Sequence, residues 1–267
     1  MNNCVIAYRA SKESSVMCLP SDLTWDLTKD AVKFLLGTGA GWALKTGRDR
    51  WRTRKARTFW RPFLTNDLRL VIGRFLEFEG FERSGLLGVG DAMALAELQN
   101  YLGLIGVSKS QVVYADRLDG DALKHTLISL GGPDANAVTR DAVKSIDSKL
   151  RFGDPSINEI AIRDSGASPP KLYVPSAPDR DGAATDYGLI LRARNPFDTT
   201  KEMMIIAGAF GHGTLAGTRY VTSQEFLALP AVGARSAFEC LVETDVVRDA
   251  PQAIRLVVAR SLKLSYR

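Results

Sequence analysis

The chain has 267 residues, of which 45% are hydrophobic and 24% are charged. This composition is typical of a folded globular protein with a sizeable core and excludes a low-complexity or fibrous chain. Two histidines and three cysteines without paired spacing argue against a zinc site, so no metal is expected. The odd cysteine count and the lack of a secretory signal pattern in residues 1–9 predict a reducing, cytoplasmic location.

The positive charge is concentrated in residues 45–61. This segment holds eight basic residues and one acid, a net charge of +7, which leaves −2 for the rest of a chain whose total is +5. Trp51, Phe59 and Trp60 interleave with the basic residues, as in surfaces that contact nucleic acid or anionic membranes. The alternative is a connector whose arginines are solvated and whose aromatic side chains hold it on the main domain. The candidate contact residues are Arg48, Arg50, Arg52, Arg54 and Arg57.

Residues 1–64 are predicted to form a helical, basic N-terminal arm, followed by an α/β domain over residues 65–267. A helix is expected after Ser21 or Asp22, either of which can cap it. The apolar run at residues 34–44 is shorter than the ~20 residues that a membrane span needs. We expect this run to pack on its own domain or on another subunit of a homo-oligomer, with a position in a membrane interface as the alternative.

Strand and helix patterns alternate through the first half of the main domain. Apolar runs predict strands at residues 67–75, 111–115 and 126–130. An Ala- and Leu-rich segment predicts a helix at residues 91–102, and a second helix is expected at residues 137–150. Because helices separate these strands, a largely parallel sheet is expected.

The sequence of the second half of the domain predicts further strands and a long loop. Strands are expected at residues 157–163, 187–194 and 202–207, then a helix near 214–221 and a closing strand pair at 238–247 and 253–263. Residues 164–186 contain four prolines and are predicted to be a loop. The expected fold is a three-layer, Rossmann-like α/β domain with a mixed sheet, mostly parallel with an antiparallel edge.

Two glycine-rich loops are the candidate ligand site. Each follows a predicted strand and precedes a predicted helix, the position at which α/β folds direct backbone N–H groups towards anionic ligands. Neither loop has the Lys and Ser/Thr of a P-loop, so we expect a nucleotide, NAD or a similar anionic small molecule without a specific cofactor being indicated. Asn136 has the alternative role of a helix cap. The candidate ligand-binding residues are Gly131, Gly132, Asp134, Asn136, Gly208, Gly211, His212, Gly213 and Thr214.

The order of predicted elements in residues 68–150 gives a second indication of function. A first strand and an acid-bearing loop precede a helix that begins Gly90-Asp-Ala-Met-Ala-Leu-Ala-Glu97. This layout resembles nucleoside deoxyribosyltransferase-like and TIR-like domains. The resemblance implies binding of nucleosides or nicotinamide dinucleotides and catalysis by a carboxylate, for which Asp91 and Glu97 are the candidates.

Three classes of function are compatible with these patterns. The first is a nucleotide-binding domain with a sensor or regulatory role. The second is an enzyme, an N-glycosidic hydrolase or transferase that acts on nucleosides or NAD. The third is a protein that contacts nucleic acid or a membrane surface through residues 45–61.

Overall fold

The computed structural model describes residues 54–76, 80, 82–107, 109–153, 160–177, 183–232 and 237–263. Most of the predicted arm, including Arg48, Arg50 and Arg52, lies outside the described residues. Residues 54–267 belong to one compact unit.

A mixed sheet of seven strands forms the centre of this unit. The strands within the described residues are β1 (Arg69–Ile72), β2 (Gln111–Tyr114), β3 (Leu127–Leu130), β4 (Leu150–Phe152), β5 (Ile162–Asp164), β6 (Lys171–Tyr173), β7 (Ala183–Asn195), β8 (Asp198–Gly208), β9 (Phe238–Val247) and β10 (Ala250–Ser261). The order in the main sheet is β10-β9-β7-β8-β3-β1-β2. Strands β2, β1, β3 and β8 run parallel, and β7, β9 and β10 add antiparallel pairs. The prediction of an α/β fold with a parallel core and an antiparallel edge is confirmed.

Helices pack on the sheet through two separate clusters of buried side chains. The helices are α1 (its described residues are 54–60), α2 (Val89–Ile105), α3 (Ala137–Ser145) and α4 (Gly211–Val221). One cluster contains side chains of α1, α2 and α4, and the other contains side chains of α3 and of strands β4 to β6. Neighbouring residues of a strand point to opposite faces, so Ile190 joins the first cluster while Leu189 and Leu191 join the second.

Helix α1 is held by its aromatic side chains. Phe59, Trp60 and the following Phe63 are buried, and the rings of Phe59 and Trp60 meet edge to face at 5.3 Å. The fully buried guanidinium of Arg192 lies over the rings of Phe59 and Phe63 at 5.3 and 5.6 Å. The aromatic end of the basic segment is therefore part of the core, whereas Arg54 on the same helix is exposed.

The predicted helix at residues 137–150 is wrong in its second half. Helix α3 ends at Ser145, and Leu150 begins strand β4. The buried carboxylate of Glu239 accepts hydrogen bonds from the backbone N–H groups of Lys149 and Leu150 at 2.9 and 3.3 Å. Arg151 donates from its guanidinium to backbone carbonyls at the end of α3. The long-range contacts of Glu239 and the local contacts of Arg151 together end the helix and direct the chain into β4.

The prediction of one loop over residues 164–186 is also wrong. This stretch contains β6, and β7 begins at Ala183 within it. Strands β4, β5 and β6 form a small antiparallel sheet. A three-residue strand beside four prolines has too short a pattern to be recognised from alternation alone.

Candidate functional site

The carboxyl ends of β3 and β8 place the two glycine-rich loops side by side. These strands are parallel neighbours, and the N–H of Gly131 donates to the carbonyl oxygen of Ile206 at 3.1 Å. The first turn of α2 packs closely against the second glycine-rich loop. A Cβ atom on Gly90 would lie only 2.2 Å from the carbonyl oxygen of Gly211. The N-termini of α2 and α4 therefore meet at the edge where open α/β sheets hold their ligands.

A cavity of about 450 Å³ opens at this edge. Its wall includes the first residues of α2, the residues that begin α4, the start of β7 and the end of β9. Among its lining residues are Gly88, Val89, Gly90, Phe210, Gly211 and His212. Gly211 and His212 thus line the cavity, whereas the other predicted ligand-binding residues are not among the residues that line it.

A carboxylate of the protein itself occupies the N-terminus of α4. Asp186, from β7, is 2% exposed and lines the cavity. It accepts backbone hydrogen bonds from Tyr187 at 2.7 Å, Phe210 at 3.1 Å and Gly213 at 2.5 Å. Burial raises the pKa of Asp186, although these three N–H groups oppose the shift. The N–H groups of Phe210 and Gly213 are therefore engaged within the protein.

The glycines of the second loop allow close backbone packing. A Cβ atom on Gly213 would lie 2.1 Å from the carbonyl oxygen of Tyr187, far inside any tolerable contact. Gly208 is equally confined, with a Cβ atom placed 2.0 Å from the carbonyl oxygen of Phe210. The hydroxyl of Thr214 accepts from the N–H of Gly208 at 2.9 Å. The glycine pattern of this loop thus has a structural cause, the close approach of α4 to β7.

Asn136 in the first loop caps helix α3. Its side chain is fully buried, and Oδ1 accepts from the N–H of Thr139 at 3.1 Å. Nδ2 donates to Ser129 Oγ at 3.0 Å and to the carbonyl oxygen of Leu130 at 2.8 Å. Both ends of the amide are therefore used inside the protein. Gly131 has φ +97°, a conformation that favours glycine.

The carboxyl group of Asp91 lies between the two helix ends and the first glycine loop. Asp91 is in the first turn of α2 and is 5% exposed. Cβ atoms on Gly88 and Gly131 would lie 3.2 and 3.0 Å from its Oδ2. Its Oδ1 is buried and has no hydrogen-bond partner among the described residues. Such an atom is unusual in a folded protein and marks this position as a candidate contact for a ligand.

The environment of Asp91 favours its protonated form. Burial is the largest cause and raises its pKa to about 6, and the nearby charges of Asp134 and Asp186 act in the same direction. A hydrogen bond with Thr214 partly opposes the shift. Asp134 itself is exposed on the first glycine loop. Asp91 therefore titrates nearer to neutrality than an ordinary aspartate.

Glu97, the other predicted catalytic carboxylate, lies in an ion pair. Its oxygens accept from Nε of Arg219 at 3.1 and 3.0 Å and from Nη2 at 2.7 Å. Arg219 also donates to the carbonyl oxygen of Pro251. This pair links α2 to α4 and does not line the cavity. Asp91 is not among the lining residues either, but its carboxyl lies against Gly88, which lines the cavity.

Arg74 holds the loop that leads to α2. Its buried guanidinium donates to the carboxylate of Asp116, with Nε at 2.8 Å from Oδ1, and to the carbonyl oxygen of Ser84. It also lies 5.0 Å from the centre of the Tyr114 ring. These contacts fix the backbone shortly before Gly88, where the cavity wall begins.

We expect replacement of Asp91 by Asn to change the pH dependence of stability. The native-state pKa is raised from 3.8 to about 6, so the free energy of unfolding of the wild type falls as pH rises through that range. Asn does not titrate, and the variant should exceed the wild type by up to about 3 kcal/mol above pH 7. Urea unfolding at pH 4 and pH 7.5 measures this. An equal difference at both pH values would contradict the buried, proton-binding carboxyl.

Among the described residues, no helix is long and apolar enough to cross a membrane. The same residues contain no group of three or more His, Cys, Asp and Glu placed to hold a metal ion.

Comparison with protein-family models and with curated proteins finds no match for the chain. The geometry of the cavity is therefore the basis for any functional conclusion.

Proposed function

We propose that the protein binds a nucleotide or a similar phosphorylated small molecule, with the anionic group at the N-terminus of α2. The observation that carries this proposal is the cavity of about 450 Å³ bounded by the N-termini of two helices. Ligands of open α/β sheets bind at such an edge. We further propose that the fold is three-layered and Rossmann-like, because helices contribute side chains to both clusters of buried residues.

The N-terminus of α2 offers backbone donors to an anion. The helix spans Val89–Ile105, and its cap residue, Gly88, supplies no side-chain hydrogen bond. The first N–H groups of a helix have no partner within the helix, and the helix dipole adds partial positive charge there. Gly88, Val89 and Gly90 all line the cavity. At α4, by contrast, Asp186 already occupies the equivalent position.

The two buried aspartates near the cavity are compatible with an anionic ligand when they are protonated. Burial raises the pKa of both Asp91 and Asp186. A neutral carboxyl does not repel a phosphate and can donate a hydrogen bond to it. Binding of an anion would favour this protonated form further, since a nearby negative charge raises the pKa of a carboxyl.

Substitution of Val89 tests the position of the anion. Val89 is 74% exposed, so a polar side chain there should leave folding intact. Val89→Asp adds a negative charge to the first turn of α2, where it also interacts favourably with the helix dipole. We expect nucleotide affinity to fall by about tenfold, equivalent to ~1.4 kcal/mol, while the unliganded protein keeps its melting temperature.

Val89→Asn is the matched control, because it has nearly the same shape as Asp without the charge. The measurement is a thermal-shift screen with ATP, GTP, NAD and inorganic triphosphate, followed by calorimetric titration. Equal affinities of the Asp and Asn variants would place the anion elsewhere. A wild type that none of these compounds stabilises would contradict the proposed function itself.

The second candidate function is catalysis, an N-glycosidic hydrolysis or transfer on nucleosides or NAD. The observation that favours it is Asp91, a buried carboxyl with an oxygen that has no partner among the described residues and with a pKa raised to about 6. Such groups are suited to acid–base chemistry near neutral pH. Glu97 is held by Arg219 and supports this function less well. Release of a free base by the wild type, and its loss in Asp91→Asn, separates catalysis from binding alone.

Contact with nucleic acid or an anionic membrane surface through residues 45–61 is the third candidate, together with assembly into a homo-oligomer. The observation in its favour is the division of α1 into two faces. Phe59 and Trp60 are buried in the core, whereas Arg54 and Arg57 are exposed. Arg57 Nε donates to the carbonyl oxygen of Ile105, which directs the guanidinium to the end of α2. Exposed arginines in a row are suited to phosphate contact.

A further inference from the structure

Phe210 presents an aromatic ring at the cavity. It is the residue that precedes α4, it lines the cavity and it is 47% exposed. A phenylalanine ring stabilises a protein or complex mainly through burial of its large apolar surface. Phe210 leaves about half of that surface in solvent, so a ligand that covers the ring would gain affinity from its burial.

His212 lines the same cavity and has a ring nitrogen that lacks a hydrogen-bond partner among the described residues. This atom is Nδ1, which is buried. Buried ring nitrogens of histidine normally have a protein or water partner. A polar atom of a bound ligand would supply this hydrogen bond, and His212 lies only two residues from Phe210 on the first turn of α4.

The remaining wall is suited to a flat, largely apolar group. The polar side chains of this wall are those of Ser176, Thr185, Asp186 and Asp249. The apolar side chains of Ala177, Ala184 and Val246 line the cavity together with the glycines at the start of α2. These apolar side chains offer van der Waals contact and no hydrogen bonds. A cavity with an aromatic platform, a mixed apolar and polar wall and a ring nitrogen that lacks a partner among the described residues favours a planar ring that carries its own polar atoms.

We propose that Phe210 and His212 form a subsite for a planar heteroaromatic ring of the ligand, stacked on Phe210 and hydrogen-bonded to Nδ1 of His212. A nucleobase and a nicotinamide ring both have this chemistry. This inference rests on the proposed function and specifies it further. Gly90 and Gly211 are in contact, so the ring subsite adjoins the N-terminus of α2, where the anionic group binds.

Calorimetric titration of the full chain tests this subsite. The base-containing probes are ATP, GTP, CTP, UTP and NAD, and the base-free probes are ribose 5-phosphate and inorganic triphosphate. Phe210→Ala removes the ring, and Phe210→Trp keeps an aromatic platform. We expect Phe210→Ala to weaken the base-containing probe that binds the wild type by about tenfold or more. Phe210→Trp should stay within about threefold of the wild type, and base-free probes should be unaffected by either change.

His212→Phe tests the hydrogen bond separately, because it keeps a flat ring and removes the nitrogens. We expect it to weaken the same base-containing probe by about fivefold and to leave the base-free probes unchanged. Phe210 and His212 are both partly exposed, and unchanged melting temperatures of the unliganded variants would show that they fold.

Each outcome decides between the subsite and the proposed function. If a base-containing probe binds Phe210→Ala as tightly as the wild type, the ring subsite is wrong and the proposed function stands. If only the base-free probes bind the wild type, the ring subsite is likewise wrong while phosphate binding remains. If no probe binds the wild type, both proposals are overturned.

Discussion

Replacing Gly213 by Ala should lower the free energy of unfolding by more than about 3 kcal/mol, the upper range for a group forced into a packed interior. The new Cβ atom would lie 2.1 Å from the carbonyl oxygen of Tyr187 and 2.9 Å from Cα of Gly208. Both neighbours are backbone atoms of long strands in the centre of the sheet, so neither can move without disturbing hydrogen bonds. Helix α4 would have to move away from β7, which would also distort the cavity.

Gly103→Ala is the matched control for this substitution. Gly103 lies within α2, and, its own helix backbone apart, no atom of the described residues would lie within 4 Å of a Cβ atom there. Alanine in a helix is favoured over glycine, so this variant should gain up to about 1 kcal/mol. Urea unfolding of the two variants gives the comparison. If both change stability by the same small amount, the close contact between α4 and β7 does not exist as described.

Replacing Asp186 by Ala should cost about 3 kcal/mol of folding stability, because it leaves buried N–H groups without an acceptor. The carboxylate accepts from Tyr187, Phe210 and Gly213, two of which belong to the start of α4. The loss should concentrate in that helix. Faster hydrogen exchange at the first turn of α4 than in α2 would locate it, and urea unfolding would measure its size.

Asp186→Asn keeps one carbonyl oxygen in nearly the same place and is the control for shape. It can still accept from Tyr187 and Phe210, whereas its amide would face the N–H of Gly213 without accepting from it. We expect a loss of about 1 kcal/mol, the usual value for one hydrogen bond. If alanine costs no more than asparagine, Asp186 does not cap α4.

The local hydrophobic pattern of the sequence predicts a strand or helix of this fold well where the element has a run of apolar residues of its own. The pattern predicts the Ala- and Leu-rich helix at residues 91–102, and it occurs at Val89–Ile105. The closing strand pair occurs as β9 and β10. Elements that depend on partners far along the chain are not predicted. The end of α3 and the start of β4 depend on Glu239, about ninety residues away.

The candidate site shows the same division. Each glycine-rich loop was recognisable because it follows an apolar strand, and the parallel pairing of β3 with β8 puts them together. The residues next to Asp186 in the sequence do not indicate its role. Asp186 contacts α4 because β7 lies antiparallel beside β8. The ion pair of Glu97 with Arg219 joins residues 122 positions apart, so the local sequence does not predict it either. The cavity that Phe210 lines is formed by residues of α2, α4, β7 and β9, which are far apart in the sequence.

The most direct test of the proposed function is hydrogen exchange with and without the nucleotide that binds most tightly. Binding of the anionic group at α2 predicts slower exchange of the amides of Val89 and Gly90, whose helix end lacks a side-chain cap. The amides of Phe210 and Gly213 should change little there, because Asp186 already binds them. Slowed exchange confined to residues 131–136 or 208–214, with none at residues 88–90, would contradict an anion site at the N-terminus of α2.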